Sequence, residues 1–269
     1  MTQIDFALGA AVHFDFELAT HPEPFENLVR DLVGVSSASG EFRHWYIPLE
    51  GKRTPPPPAF DLSRLVRLVR RGVASAAAET LPNAADPDRL LVVAGTRPLD
   101  AAPERFTMTK CRYDAVIVVG CSRLRQLGTQ RVIDAIVTFA DAVAARAGVV
   151  HCATTSAYAA GLASCGGSTV LSTREVGHIT DLMYFQPQWG DVIRGPAWGT
   201  FLGPSHVDRL GGAGKLAETA PCARVVSLPS GGGYLQVTAT DQPILERDSM
   251  APLDELALFL DQVVGHRGG

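Results

Sequence analysis

The segment from residue 6 to residue 18 has an apolar side chain at every second position, and this alternation constrains the fold more than any other feature. His13, Asp15 and Glu17 lie between the apolar residues, which are Phe6, Leu8, Ala10, Val12, Phe14, Phe16 and Leu18. A period of two is that of a β-strand, whose successive side chains point to opposite faces of a sheet. We therefore expect a strand with one solvent-exposed face, in an antiparallel or mixed sheet and not in a Rossmann core.

Strand and helix patterns alternate along the rest of the chain. Aromatic or apolar runs predict strands at 42–49, 89–94, 113–119, 198–202, 223–228 and 233–239, the last two forming a hairpin around SGGG. Helical spacing and capping residues predict helices over 24–33, 61–73, 129–147 and from 252 to 263, and short ones after Ser172 and Ser205. The fold class is thus α+β, with two fused strand-helix halves whose antiparallel or mixed sheets pack against helices. We expect one domain over residues 1–269, with a boundary between similar halves near 81–89, where LPNAADPDR is rich in turn residues.

Composition excludes several classes of partner and location. The chain has 269 residues, 46% of them hydrophobic, so it can bury a substantial core, and its formal charge of −4 provides no basic face for nucleic acid. No signal peptide precedes residue 18, and no apolar run reaches the roughly 20 residues of a membrane span. Five scattered cysteines indicate reduced thiols, so we expect a soluble cytoplasmic protein: Cys111, Cys121, Cys152, Cys165 and Cys222.

Two nucleotide-binding patterns are incomplete. GGAGKLAE at 211–218 has the GxGxxA spacing in Gly212, Gly214 and Ala217, but a helix-like segment precedes it where a dinucleotide fold requires a strand. As a phosphate-binding loop it has Arg209 in place of the first glycine and Leu216 in place of the magnesium-binding Ser or Thr. We therefore predict no cofactor.

The sequence also lacks a clear metal site or catalytic group. His151 and Cys152 are adjacent, and on a strand they would point to opposite faces, so we predict no bound metal. Cys165, beside two glycines, is the best candidate nucleophile, with His178 or His206 as its base. Because nothing nearby would lower its pKa, a non-catalytic thiol is the favoured interpretation.

The stretch GPAWGTFLGPSHVDRLGG at 195–212 reads as a strand-turn-helix corner. We expect a strand to end at Gly203 and Pro204, Ser205 to cap a short helix, and Gly211 to end it. A capping Ser205 would have its hydroxyl engaged by backbone amides, so Ser205, His206 and Asp208 would not form a catalytic triad. Trp198 and Phe201 are then core residues.

This corner, followed by Leu210-Gly-Gly212 and two strands around a glycine turn, resembles the C-terminal signature of the type VI immunity family. The order of upstream elements matches over most of the chain, although only residues 198–212 are specific and 154–170 and the PPPP loop at 55–58 depart from the pattern. The family signature residues are Trp198, Phe201, Gly203, Pro204 and Gly211.

The resemblance implies a protein without catalytic residues that binds a toxin made by the same cell. Its partner would be an effector delivered by the type VI secretion system and encoded by an adjacent gene. Aromatic anchors within DLMYFQPQWGD at 181–191 are the candidate contacts, with Asp241 and Glu246 near the hairpin as additional ones. The predicted toxin-binding residues are Asp181, Tyr184, Phe185, Trp189 and Asp191.

Two other functions remain open. A cysteine-dependent enzyme with Cys165 as nucleophile would show preferential labelling of that thiol by electrophiles. A structural component of the secretion apparatus would assemble with copies of itself or with sheath proteins and would not neutralise a toxin.

Overall fold

The computed structural model describes residues 6–33, 42–47, 59–73, 75–80, 90–96, 113–154, 196–245 and 248–261. The strands in these ranges are β1 (Phe6–Phe14), β2 (Phe42–Ile47), β3 (Ser75–Thr80), β4 (Leu90–Gly95), β5 (Tyr113–Val119), β6 (Ala147–Thr154), β7 (Gly199–Leu202), β8 (Arg224–Ser227) and β9 (Gly233–Gln236). The helices are α1 (Glu23–Val33), α2 (Leu62–Arg70), α3 (Cys121–Leu127), α4 (Thr129–Ala142), α5 (Pro204–Arg209), α6 (Ala213–Thr219) and α7 (Ala251–Phe259).

All nine strands form one sheet in the order β2-β3-β4-β5-β1-β6-β7-β9-β8. Every pairing is antiparallel, which confirms the α+β class. The predicted boundary at 81–89 lies outside the described residues, and the strands on either side of it, β3 and β4, pair with each other.

The central strand β1 differs from its prediction. It ends at Phe14, and all nine of its residues are buried, so the expected solvent-exposed face is wrong. One face carries the large side chains, and there Phe14 meets Phe139 of α4 edge to face at 5.8 Å. The other face carries Ala7, Ala11 and His13, which is only 4% exposed. The charged positions that suggested a wet face follow the strand, where Asp15 forms an ion pair with Arg146.

Helices cover both faces of the sheet. The amphipathic helices α1 and α4 pack together, and α2 packs on β2 and β3. Helices α5 and α6 lie on the opposite face. A Cβ placed on Gly233 would point to that face and lie 3.0 Å from Leu216 of α6 and 3.5 Å from Val207 of α5. The C-terminal end of the sheet, from β7 to β8, is therefore enclosed between α4 on one face and the α5–α6 pair on the other.

Several predicted helices and strands are confirmed and others are shifted or missed. Asp61 caps α2 by accepting a hydrogen bond from the Arg64 amide at 3.0 Å, as its pattern predicted. The hairpin of β8 and β9 and the last helix also form. Helix α4 ends at Ala142 and not at 147, because Ala144 has a φ of 46° and the chain then enters β6. The sequence interpretation missed β3, β6, α3 and α6, whereas the proposed helix after Ser172 lies outside the described residues.

Candidate functional site

The corner at 198–212 joins β7 to α5 and lies in the core. Trp198 is 1% exposed, and its Nε1 donates to the Thr238 hydroxyl at 2.8 Å. The fully buried Phe201 ring packs on Tyr234 of β9 with centroids 4.8 Å apart. Both aromatic residues therefore stabilise the sheet, as the sequence predicted, and neither is available to a ligand in this arrangement.

Two glycines of the corner are required by close packing. A Cβ on Gly203 would lie 2.5 Å from the carbonyl oxygen of Arg146, which accepts the Gly203 amide hydrogen bond at 3.0 Å. A Cβ on Gly199 would lie 2.6 Å from the Tyr234 hydroxyl. Contacts below 3 Å with backbone or with a packed ring leave no space for another residue, so the glycines in WGTFLGP are architectural.

The start of α5 corrects one prediction. The N-cap is Gly203 and not Ser205, with Pro204 at the first helical position, which proline favours because it has no amide hydrogen to satisfy. The Gly203 amide is shared between the Arg146 carbonyl and Nδ1 of the buried His206, at 3.1 Å. His206 thus packs inward while Ser205 and Asp208 are exposed, and the three do not form a triad. Gly211, with a φ of 95°, follows the end of the helix as predicted.

Helix α7 provides an exposed surface of unusual chemistry near the C-terminus. Leu256 and Leu260 are buried in the core. Leu258 is 79% exposed, the only large apolar side chain so exposed within the described residues. Three charged residues are also exposed: Asp254 and Glu255 within α7, and Asp261 just after its end.

A family comparison identifies the C-terminal half. Residues 126–263, just over half of the chain, match the family model TsiV, described as type VI immunity for VRR-NUC. The chain belongs to the TsiV family. The match extends from the end of α3 through α7 and contains the corner that carried the resemblance, which is thereby confirmed.

A solved structure supports the fold of this TsiV family member. A T6SS protein of Pseudomonas aeruginosa superposes with a TM-score of 0.61, covering 98% of this chain and 77% of that chain at 15% sequence identity. At this identity the likeness concerns the fold alone. No functionally curated protein matches the sequence.

The structure describes three thiols of the TsiV family member, Cys121, Cys152 and Cys222. Cys121 and Cys152 are buried, and Cys152 points to the face opposite His151, as their adjacency on β6 predicted. Burial raises the pKa of the Cys222 thiol to about 12. A thiol with a raised pKa is almost entirely protonated near neutral pH and attacks slowly. Cys165 and His178, proposed for the enzyme alternative, lie outside the described residues.

Two of the buried histidines also have lowered pKa values. Burial lowers the pKa of His13 from 6.5 to about 3. For His44, burial and then the nearby Arg64 lower the pKa, partly opposed by Asp61, whose amide donates to His44 Nδ1 at 3.3 Å. Within the described ranges, no three His, Cys, Asp or Glu side chains lie close enough to share a metal ion. None of the described helices combines the length and the apolar character that a bilayer span requires.

The incomplete GxGxxA pattern is part of a helical pair. Helix α5 precedes it, as the sequence predicted, and α6 begins directly after Gly212. Gly212 has a φ of 90°, which makes the turn between the two helices and requires glycine. The pattern therefore has a structural explanation in the packing of α5 and α6.

The five predicted toxin-binding residues at 181–191 lie outside the described residues, as does Glu246. Asp241 is described and exposed, in the turn that follows β9. That turn is fixed to α4, because the Thr240 hydroxyl donates to the Gln130 side chain at 2.7 Å. The sequence interpretation missed the exposed face of α7, although the three carboxylates around Leu258 were a readable signal.

Proposed function

We propose that this chain is a non-enzymatic immunity protein that binds a T6SS effector carrying a VRR-NUC domain and neutralises it. The match to the TsiV family over residues 126–263 carries the proposal, since that family is described as type VI immunity for VRR-NUC. The effector would be encoded by an adjacent gene, and the complex would form in the cytoplasm of the cell that makes both proteins.

The chemistry of the corner supports a role without catalysis. Its aromatic residues and His206 are used in packing, and its Ser205 and Asp208 are exposed. The described thiols are buried or have a raised pKa. A binding protein needs a surface and not a reactive group, so these observations favour occlusion of the effector over an enzymatic defence.

Co-expression tests the proposal. The VRR-NUC effector encoded next to this gene is expressed in a sensitive bacterium with and without the chain, and survival, co-purification and affinity are measured. Rescue with a nanomolar complex is expected. Toxicity that the chain does not relieve, with no complex formed, would refute the proposal and return attention to the scaffold or Cys165 alternatives, which thiol labelling would separate.

The aromatic residues of segment 181–191 are proposed as contacts, on the basis of their residue types. We expect Trp189→Ala to weaken effector binding at least tenfold without lowering the unfolding temperature, since interface aromatics dominate binding energy. Trp198→Ala is the matched control: Trp198 is buried, so its loss should lower the unfolding temperature. If Trp189→Ala changes neither stability nor affinity, the segment is not a contact.

A further inference from the structure

The two edges of the sheet differ in how they are closed. The outer side of β2 is partly covered by the chain itself, because Arg43 forms a β-bridge with Ala59 and the Phe60 amide donates to the Phe42 carbonyl at 3.3 Å. The opposite edge is β8, which pairs with β9 on one side and has no strand or bridge on its other side within the described residues. An unpaired edge presents backbone amides and carbonyls to which another strand can bind. In the part of the chain that the structure describes, β8 is therefore the more open of the two edges.

The register of β8 on β9 identifies the backbone groups at this edge. The Leu228 amide donates to the Gly232 carbonyl at 2.9 Å, and hydrogen-bonded pairs alternate with non-hydrogen-bonded pairs along an antiparallel ladder. Val226, two residues before Leu228, therefore turns its amide and carbonyl towards β9. Val225 and Ser227 turn their amide and carbonyl groups away from the sheet.

This free edge of β8 is short and has defined limits. Before it, the Ala223 amide is already used, since it donates to the Val237 carbonyl at 3.1 Å. After it, Pro229 has no amide hydrogen to donate. Ser227 is exposed and Val225 is partly exposed. A strand that binds here would therefore bond to the amide and the carbonyl of Val225 and of Ser227.

The side chains of β8 leave its edge accessible. The one charged residue of the strand, Arg224, turns to the face that carries α4, where its Nη2 donates to Asp134 at 2.8 Å. Val226 lies on the same face, because side chains alternate along a strand, and it is partly exposed. Edge strands are commonly protected by charged side chains. The charge of Arg224 is paired with α4, so it does not repel a second strand.

From these observations we propose that β8 is a dimerisation edge, which pairs with β8 of a second copy of this chain about a twofold axis at Val226. Every pairing in the sheet is antiparallel, and a twofold axis perpendicular to the sheet produces antiparallel pairing of two identical strands. A register centred on Val226 places Val225 opposite Ser227 of the second copy. The outward backbone groups of both residues are then bonded. This inference does not depend on the proposed function.

The residues of β8 favour a second copy as the occupant of the edge. In this register Val226 meets Val226 of the second copy, which covers a valine that is partly exposed in one chain alone. Arg224 lies opposite Leu228 of the second copy, so like charges do not face each other. The pairing uses the β8 edge of both chains at once, and the assembly therefore closes as a dimer.

Analytical ultracentrifugation of the full-length chain tests for the dimer. We expect a monomer–dimer equilibrium with a micromolar Kd, since the paired edge is short. Val225→Pro removes the outward amide without removing a bond to β9, and should raise this Kd at least tenfold. Val225→Ala is the matched control, because it shortens the same side chain and keeps the amide, and its Kd should stay within about threefold of wild type. Circular dichroism and thermal unfolding verify that both variants fold.

Disulfide cross-linking tests the register and does not depend on a proline variant. In a Cys222→Ser background, Val226→Cys should give a disulfide-linked dimer under mild oxidation, because directly opposed residues of a non-hydrogen-bonded pair have Cα atoms about 4.5 Å apart. Val225→Cys is the control. In the proposed register it faces Ser227 and not its own copy, so it should cross-link much less.

Three outcomes would overturn the assignment. A wild-type chain that stays monomeric at its highest soluble concentration, with no cross-link through Val226→Cys, would show that β8 does not bind a second copy. A dimer that a folded Val225→Pro variant leaves intact would place the interface elsewhere. A monomeric chain whose Val225→Pro variant binds the effector more weakly than Val225→Ala does would show that a strand of the effector, and not a second copy, occupies the edge.

Discussion

At the scale of single residues, close packing and not chemical reactivity explains the residues of the corner. Gly203 lies so close to the Arg146 carbonyl that a side chain has no place, and the Arg146 amide in turn donates to the His13 carbonyl of β1 at 2.8 Å. One backbone segment therefore connects the central strand to the corner at 198–212. The residues of the corner thus determine where β7 ends and α5 begins.

Replacing Gly203 tests this interpretation. We expect Gly203→Ala to lower the free energy of unfolding by about 2 kcal/mol or more, because the backbone around Arg146 must move. Gly214→Ala is the control, since a Cβ there meets nothing within 4 Å and α6 should gain about 0.5–1 kcal/mol from the better helix former. Chemical denaturation measures both. Equal effects of the two substitutions would contradict the steric argument.

The buried His13 predicts a pH dependence of stability. Its folded pKa of about 3 lies below the unfolded value near 6.5, so between these values the unfolded state binds a proton that the folded state does not. Above pH 6.5, His13 is neutral in both the folded and the unfolded state. Below that value, the free energy of unfolding falls by about 1.4 kcal/mol per pH unit as the pH drops towards 3. Between pH 7 and pH 4, the measured free energy of unfolding should fall more steeply for wild type than for His13→Gln. Parallel curves would show that His13 titrates normally in the fold.

At the scale of helices and strands, sequence patterns located most elements. They failed for elements whose structure depends on the strands and helices packed against them. The cap of α2 and the apolar stripes of α2 and α4 were readable because each follows from residues close together in the sequence. Strand β3, with the sequence SAAAET, has low intrinsic β-propensity and is a strand because β2 and β4 flank it. The burial of the second face of β1 could not be predicted either, since it depends on what covers the sheet.

Helix α7 shows the same limit at this scale. The spacing of acidic residues around Leu258 was present in the sequence, but an exposed leucine cannot be distinguished from a buried one until the packing of α7 is known. Leu256 and Leu258 illustrate this: two residues apart on one helix, one is fully buried and the other is 79% exposed.

An ion pair connects the edge strand β8 to α4 and can be measured. Arg224 reaches Asp134 at 2.8 Å and also lies over the Tyr234 ring, 5.9 Å from its centroid. Both charged groups are partly exposed, so water and salt weaken the pair, and a double-mutant cycle with alanine should give a coupling of about 0.5 kcal/mol that decreases with salt. Arg224→Ala should cost more than Asp134→Ala, because it also loses the ring contact. A coupling that salt does not change would contradict this account.

At the scale of the whole molecule, the sheet pairs strands that are far apart in the sequence. Strand β1 pairs with β5 on one side and with β6 on the other, and β3 pairs with β4 across the predicted boundary. We therefore expect thermal unfolding to show a single cooperative transition, with calorimetric and van't Hoff enthalpies that agree. Two separated transitions, or protease cleavage near 81–89 that releases a stable half, would instead support two independent units.

The position of β1 has a consequence for biosynthesis. The ribosome makes this strand before both of its neighbours, and β6 is complete only at Thr154, after more than half of the 269 residues have been translated. Until then the middle of the sheet has no partner on one side, and a nascent chain exposes unpaired strand edges that chaperones must shield. The nascent chain can therefore complete the middle of the sheet only in the second half of translation.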